Sequence, residues 1–252
     1  MTANLLARAS LSHSPSRPDA DVPRPEPGDA ERSDLRDPGA EAVPAGSRHG
    51  ALTVPAAEHV LGAEALRALL GDGTWVEIVP GVAAPSGLAG KPAVRAEAAL
   101  LRAGPHAVLS GPTAVAMHGC TEADGADSLH VTVPYDQQPR PSSGLVVRQA
   151  WIRESDVLEL DGLRVYTLDA ALAELLCTGP PRTALACLEQ AMAVLGGAAL
   201  RFRSAVTEQV ARRNDRRGTR RAAELLDLAR TSPSGAMPVV ARIHAASAGV
   251  QG

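Results

Sequence analysis

Aromatic side chains are nearly absent: one Phe, two Tyr and two Trp make up 2% of the 252 residues. The core must then be assembled from Ala, Val and Leu, which bury less area per residue than rings do. Lysine is scarcer still, because Lys91 stands alone and every other basic residue is arginine. With abundant Ala, Gly and Pro, this usage marks a GC-rich coding sequence, and no function follows from it. Cysteine is limited to Cys120, Cys177 and Cys187, an odd number, widely spaced, without a CxxC pair. That argues against a disulfide scaffold or a thiolate metal site and fits small buried thiols in a reducing cytosol. No stretch approaches the roughly 18 uncharged apolar residues of a membrane span. The N-terminus has no basic segment followed by an apolar run, so no signal peptide is expected. A cytoplasmic chain without membrane association is the expectation.

Reactive constellations are missing too. Ser110 and His118 lie eight residues apart, but acyl transfer would need a third orienting group and an oxyanion site. Leu109-Ser110-Gly111-Pro112 reads better as a helix cap. His118 before Gly119 reads as a helix-end residue whose charge suits the helix dipole. Glu122, Asp124 and Asp127 cluster among Gly and Ala, as a solvated turn does. A metal-dependent nuclease would need such carboxylates beside a lysine, and Lys91 precedes a proline in a loop. The histidines lack metal-ligand spacing, and no glycine-rich phosphate loop occurs. The expectation is a protein with no catalytic residue, metal site or cofactor.

What is present suits a globular chain: 45% hydrophobic residues and a mean hydropathy of −0.03. Residues 1–50, with seven prolines among mixed charges, read as a disordered tail. A head over 51–90 comes next. Thr53 caps a helix over Val54–Leu61, Gly62 ends it, and a second helix runs from Ala63 to Leu70. Gly71-Asp72-Gly73 turns into a strand, Trp75–Val79, closed by Pro80-Gly81. Two short helices, then a strand and turn, are the order of a winged helix-turn-helix. Over 91–178 helix and strand alternate. Ala93–Arg102 and Pro112–Met117 are helical; Ala107–Leu109, Leu129–Val133, Leu145–Gln149 and Leu163–Tyr166 are strands of one small mixed sheet. From Leu168 onward the pattern is helical: Leu168–Leu176, Arg182–Leu195, Ser204–Arg213, Thr219–Arg230 and a last segment over Val239–Ala246. Residues 179–231 form a helical, arginine-rich segment and 232–252 a tail. The fold class is α+β: a winged-helix head, a small mixed α/β middle domain and C-terminal helices.

Charge is unevenly spread. Between Arg201 and Arg230 nine arginines stand against four acids, a local balance of +5, which leaves −8 on the rest. Arg212, Arg216 and Arg220 are spaced by four, as are Arg213, Arg217 and Arg221. If helical, they make a basic face, split near Asn214-Asp215 and Gly218, that can hold phosphates. The alternative is a solvated face in which Glu224 and Asp227 pair with Arg220, Arg221 or Arg230. No aromatic interleaves with these arginines, which argues against base stacking. In the head, Ala63–Leu70 offers Arg67 and Glu64.

The same segments resemble the AbiEi-type antitoxin family. Gly73-Thr74-Trp75-Val76-Glu77-Ile78-Val79-Pro80-Gly81-Val82 is similar to that family's wing, where a Gly-x-Trp strand runs into Pro-Gly-Val. Leu109-Ser110, then Ala114 and Met117-His118-Gly119, resembles its leucine-serine, alanine, leucine-histidine-glycine segment. Val131-Thr132-Val133, Arg140 and Val146-Val147 resemble its next strands, and Tyr166–Leu176 falls where the family has a helix opening with Arg-Thr and an acid. The resemblance runs from Thr53 to Arg230, about 180 residues. The chain departs from the pattern at Gly111-Pro112, where the family carries a His or Glu, and at Ala170-Ala171, where it carries Arg-Thr. In the actinobacterial branch the same front half often precedes a Vsr-like endonuclease domain. Arg212–Leu228 resembles the arginine-rich helix pair before that domain, but no carboxylate falls near Gly235, where its first acid would stand. The resemblance implies a DNA-binding transcriptional regulator of a type IV toxin–antitoxin system, opposing a nucleotidyltransferase-like toxin. Its DNA-contacting residues would be Arg67, Arg212, Arg213, Arg216, Arg217, Arg220 and Arg221. The alternatives are a truncated remnant of a Vsr-like endonuclease-associated protein and a protein-interaction module.

Overall fold

A computed structural model describes residues 43–123, 128–137 and 142–229. Order begins earlier than composition predicts. Glu97, buried on a helix nearly fifty residues downstream, accepts the backbone N–H groups of Arg48 (2.8 Å), His49 (2.9 Å) and Ala51 (3.0 Å). One carboxylate thus anchors the segment assigned to the disordered tail at 43–50. Hydrogen bonds to a charged group are worth about 1.5–3 kcal/mol each, and an orphaned donor costs as much. Glu97→Gln, which keeps the volume but turns an NH2 toward these donors, is expected to cost about 2 kcal/mol. Faster amide exchange at Arg48, His49 and Ala51 should accompany the loss; unchanged exchange would show that the anchor does not hold.

The anchored segment feeds strand β1 (Leu52–Thr53). The Thr53 hydroxyl then accepts the Ala56 N–H and caps α1 (Val54–Leu61), and Gly62 separates α1 from α2 (Ala63–Gly71). Asp72 turns the chain by accepting the Thr74 N–H at 2.8 Å. The hairpin β2 (Trp75–Val79) and β3 (Val82–Pro85) completes a three-stranded antiparallel sheet in the order β1-β3-β2. The hairpin tip is Pro80-Gly81, so it carries no charge. Leu52, Ala57, Leu66, Trp75 and Ala83 form a small core under α1 and α2. Val79, Val82 and Ala84 join the main core instead.

After a short α3 (Ser86–Ala89), α4 (Pro92–Ala103) packs both on the strands of the head and on a second sheet, so the head shares a core with that sheet. The second sheet is mixed, in the order β6-β5-β4-β8-β7, from β4 (Val108–Leu109), β5 (Leu129–Val133), β6 (Leu145–Gln149), β7 (Val157–Leu160) and β8 (Leu163–Tyr166). The pairs β5–β6 and β4–β8 are parallel. Strands β1, β3 and β7 and the short α3 are additions to the sequence reading.

Helix α5 (Gly111–Met117) precedes β5, and four helices come after the sheet: α6 (Leu168–Thr178), α7 (Pro181–Leu195), α8 (Ala199–Ala211) and α9 (Thr219–Leu228). Helix α8 starts five residues before the predicted Ser204. The run Pro181–Ala211 has the length and apolarity of a membrane span, contrary to the sequence reading. It is interrupted at Gly196–Ala198, and Leu185, Leu188, Met192 and Val206 are wholly buried in the main core. The fold class is α+β, as expected. The segment Val239–Ala246 and Arg230 lie outside the described residues.

Candidate anion-binding cleft

The two four-residue rows of arginines do not form one basic helix face. Helix α8 ends at Ala211, and residues 212–218 are a loop. The loop turns Arg212 and Arg213 toward the sheet and leaves Arg216 and Arg217 on the surface. Arg216 donates from Nη1 to the Ala211 carbonyl at 3.2 Å, holding the end of α8. Arg220 pairs with Glu224 at 3.1 Å, as the solvated-face reading predicts, whereas Asp227 pairs with Arg203. Arg221 donates from Nε and Nη2 to the Leu176 carbonyl, closing the end of α6. Arg67 stays exposed on α2, away from this group.

Arg212 and Arg213 enter a cleft of about 300 Å³ between the sheet, α6 and the loop. From the sheet come Arg148 and, just beyond β6, Arg153. Four guanidinium groups, from residues far apart in sequence, thus face one space. Three of the chain's five aromatics line it as well: Tyr135, Trp151 and Tyr166. Trp151 is 72% exposed and Tyr135 61%, whereas Trp75 in the head is 6% exposed. The arginines therefore do have aromatic neighbours. They arrive from the ends of β5, β6 and β8, which proximity in sequence could not reveal.

Acidic groups set the arginines without neutralising them all. Asp156 accepts from Gln209 Nε2 at 3.1 Å and stands 3.7 Å from Arg212 Nη2 and 3.9 Å from Arg153 Nη1. Gln209 also donates to Asp169 at 3.0 Å, tying α8 to the start of α6. At the floor, Glu174 of α6 is buried. It takes the Gly111 N–H and lies against the Ser110 hydroxyl, whose geometry falls short of a good hydrogen bond. Burial pushes its carboxyl up from the ordinary range, against the pull of Arg148 and Arg213. Glu174 Oε1 lies 3.5 Å from Arg148 Nε, too long for a good hydrogen bond. Glu174 Oε1, Arg148 Nε and Arg213 Nε are all buried without a hydrogen-bond partner. Buried polar atoms are almost always paired; Glu174 Oε1 and Arg148 Nε face each other as an ion pair, which leaves Arg213 Nε as the buried donor without an acceptor beside the cleft.

No protein-family model matches the chain, and comparison with curated proteins finds no relative.

The other candidates resolve simply. Ser110 is buried at the N-cap of α5 beside Glu174, while His118 Nε2 engages the Tyr166 carbonyl at 2.8 Å, so the two meet different partners. His118 does end α5, but burial lowers its pKa and so works against the charge that would suit the helix dipole. Burial, aided by Arg148, lowers His130 likewise. Among the described residues no three His, Cys, Asp or Glu side chains gather as a metal site. Asp124 and Asp127 of the acidic turn lie outside them. None of the three cysteines forms a disulfide, and all are buried.

Proposed function

We propose that the chain is a nucleic-acid-binding regulator of the AbiEi-antitoxin type. It acts in the cytoplasm, uses no catalytic chemistry, and opposes a nucleotidyltransferase-like toxin by repressing the operon that encodes them. The observation that carries this reading is the run of exposed Arg216, Arg217 and Arg220 on the loop and helix start, beside the cleft that gathers Arg148, Arg153, Arg212 and Arg213. A row of guanidinium groups on an otherwise acidic chain fits the spaced phosphates of a nucleic acid. The head supports the same reading. We read its two helices between β1 and β2, over a sheet ordered β1-β3-β2, as a winged-helix head. Arg67 on α2 adds one phosphate contact there.

A gel shift of the whole chain on the duplex upstream of its own gene tests the proposal. Four phosphate contacts predict retardation at about 50 mM salt and affinity about a hundredfold weaker near 200 mM. Absence of a shift at the lower salt overturns the reading.

A further inference from the structure

The cleft is too small for a duplex, which is about 20 Å across by the sum of its groove and backbone dimensions. A volume of about 300 Å³ lies at the lower end of small-ligand pockets. Its two ends differ in chemistry. At the rim, Trp151 and Tyr135 present ring surface to solvent in a chain that has only five aromatics. At the floor, Arg213 Nε is a buried donor without an acceptor, and Arg148 Nε meets Glu174 Oε1, on a residue 5% exposed, only as an ion pair at 3.5 Å. We propose that the cleft takes a single nucleotide unit with an unpaired base, its ring stacked on Trp151 and its phosphate held by Arg148 and Arg213 over Glu174.

The parts account for one another. Every base offers a π-face, so stacking on Trp151 tolerates any sequence. A phosphate in the cleft supplies a counter-charge for the Arg148 and Arg213 guanidinium groups. Glu174 would repel a phosphate if ionised. Burial pushes its carboxyl up from the ordinary range, which lessens that repulsion. Arg153 and Arg212, steered by Asp156, flank the same space. The inference rests on the nucleic-acid reading above, since Arg212 and Arg213 belong to both. The unit is either a free nucleotide or the unpaired end of a strand, and the two sources are separable.

Tryptophan fluorescence of the whole chain reads the site, because Trp75 is buried and Trp151 is not. Adenosine monophosphate, adenosine, a blunt duplex and the same duplex with a single-stranded tail are the probes. The monophosphate and the tailed duplex should quench Trp151, and the blunt duplex should not. Adenosine should bind at least about tenfold more weakly than its monophosphate, for want of the charged contacts. By anisotropy of a labelled tail, Trp151→Ala should weaken binding about tenfold while Trp151→Phe preserves it. Quenching by the monophosphate but not the tail assigns the cleft to free nucleotide. Retardation of the blunt duplex with no quenching by any probe overturns this inference and leaves the regulator standing. Silence in both assays overturns both.

Discussion

Gly218→Ala is expected to lower the melting temperature by about 10 °C, corresponding to about 3 kcal/mol in a chain of this size. Gly218 sits at φ 74° as the N-cap of α9. A side chain in that left-handed conformation costs about 1 kcal/mol. The larger part comes from contact. A methyl group there would overlap the carbonyl oxygen of Cys177 and approach the Cys177 Cα to 3.0 Å. Cys177 is in the last turn of α6, against which the start of α9 docks, and the overlapping atoms are backbone, which cannot swing aside. Relief must come from moving α9, whose Ala222, Leu225 and Leu226 are buried in the main core, or from displacing the 212–218 loop that delivers Arg212 and Arg213. Gly197→Ala is the matched control. Gly197 has no left-handed φ and nothing within 4 Å of an added Cβ, so its melting should stay within about 0.5 kcal/mol of the parent. Equal melting of the two variants would show that α9 does not close on α6 at Gly218.

Much of the fold is legible because its signals are local. The Thr53 cap, the alternating strands Leu129–Val133 and Leu145–Gln149, and the glycine and proline punctuation mark elements whose bounds the structure keeps. Strand β3 escapes because all four of its residues are buried, so it shows no alternation, and it ends in proline. Strand β7 had a readable signal in Asp161-Gly162, both at positive φ, the pair that favours a two-residue hairpin. The anchoring of residues 48–51 depends on Glu97, and no local pattern announces a bond across nearly fifty residues.

The site divides along the same line. Arg212 and Arg213 stand out as charge, but the rest of the cleft is made by pairing β5 with β6, which sets Thr132 opposite Arg148 and brings Tyr135 and Trp151, just beyond the two strands, to one rim. Four-residue spacing suggests a helical face split near Asn214-Asp215 and Gly218, with the first helix running to Arg213. The helix stops at Ala211 instead, and the loop distributes the arginines among a cleft, a surface and two helix ends. What composition alone did carry is the asymmetry of charge, and that survives the change in geometry.

Reversing charge at Arg217 and Arg220 together is expected to weaken duplex binding about a hundredfold near 50 mM salt and to flatten the slope of log affinity against log salt by about two. Both residues are exposed. Arg220 gives up only a surface pair with Glu224, which contributes little to stability, so a loss of binding would not be a loss of fold. Neither lines the cleft, so the measurement isolates phosphate attraction by the loop and helix start from nucleotide capture at Trp151. The comparison is Arg182→Glu with Arg201→Glu, exposed positions on α7 and α8 that change net charge by the same amount. If attraction is a matter of net charge alone, the two double variants will weaken binding equally. If the arginine-rich loop is a contact surface, the first will weaken it far more than the second. Unchanged affinity and slope in both would leave the loop without a part in nucleic-acid binding, and with it the antitoxin reading would lose its physical basis in favour of a protein-interaction module.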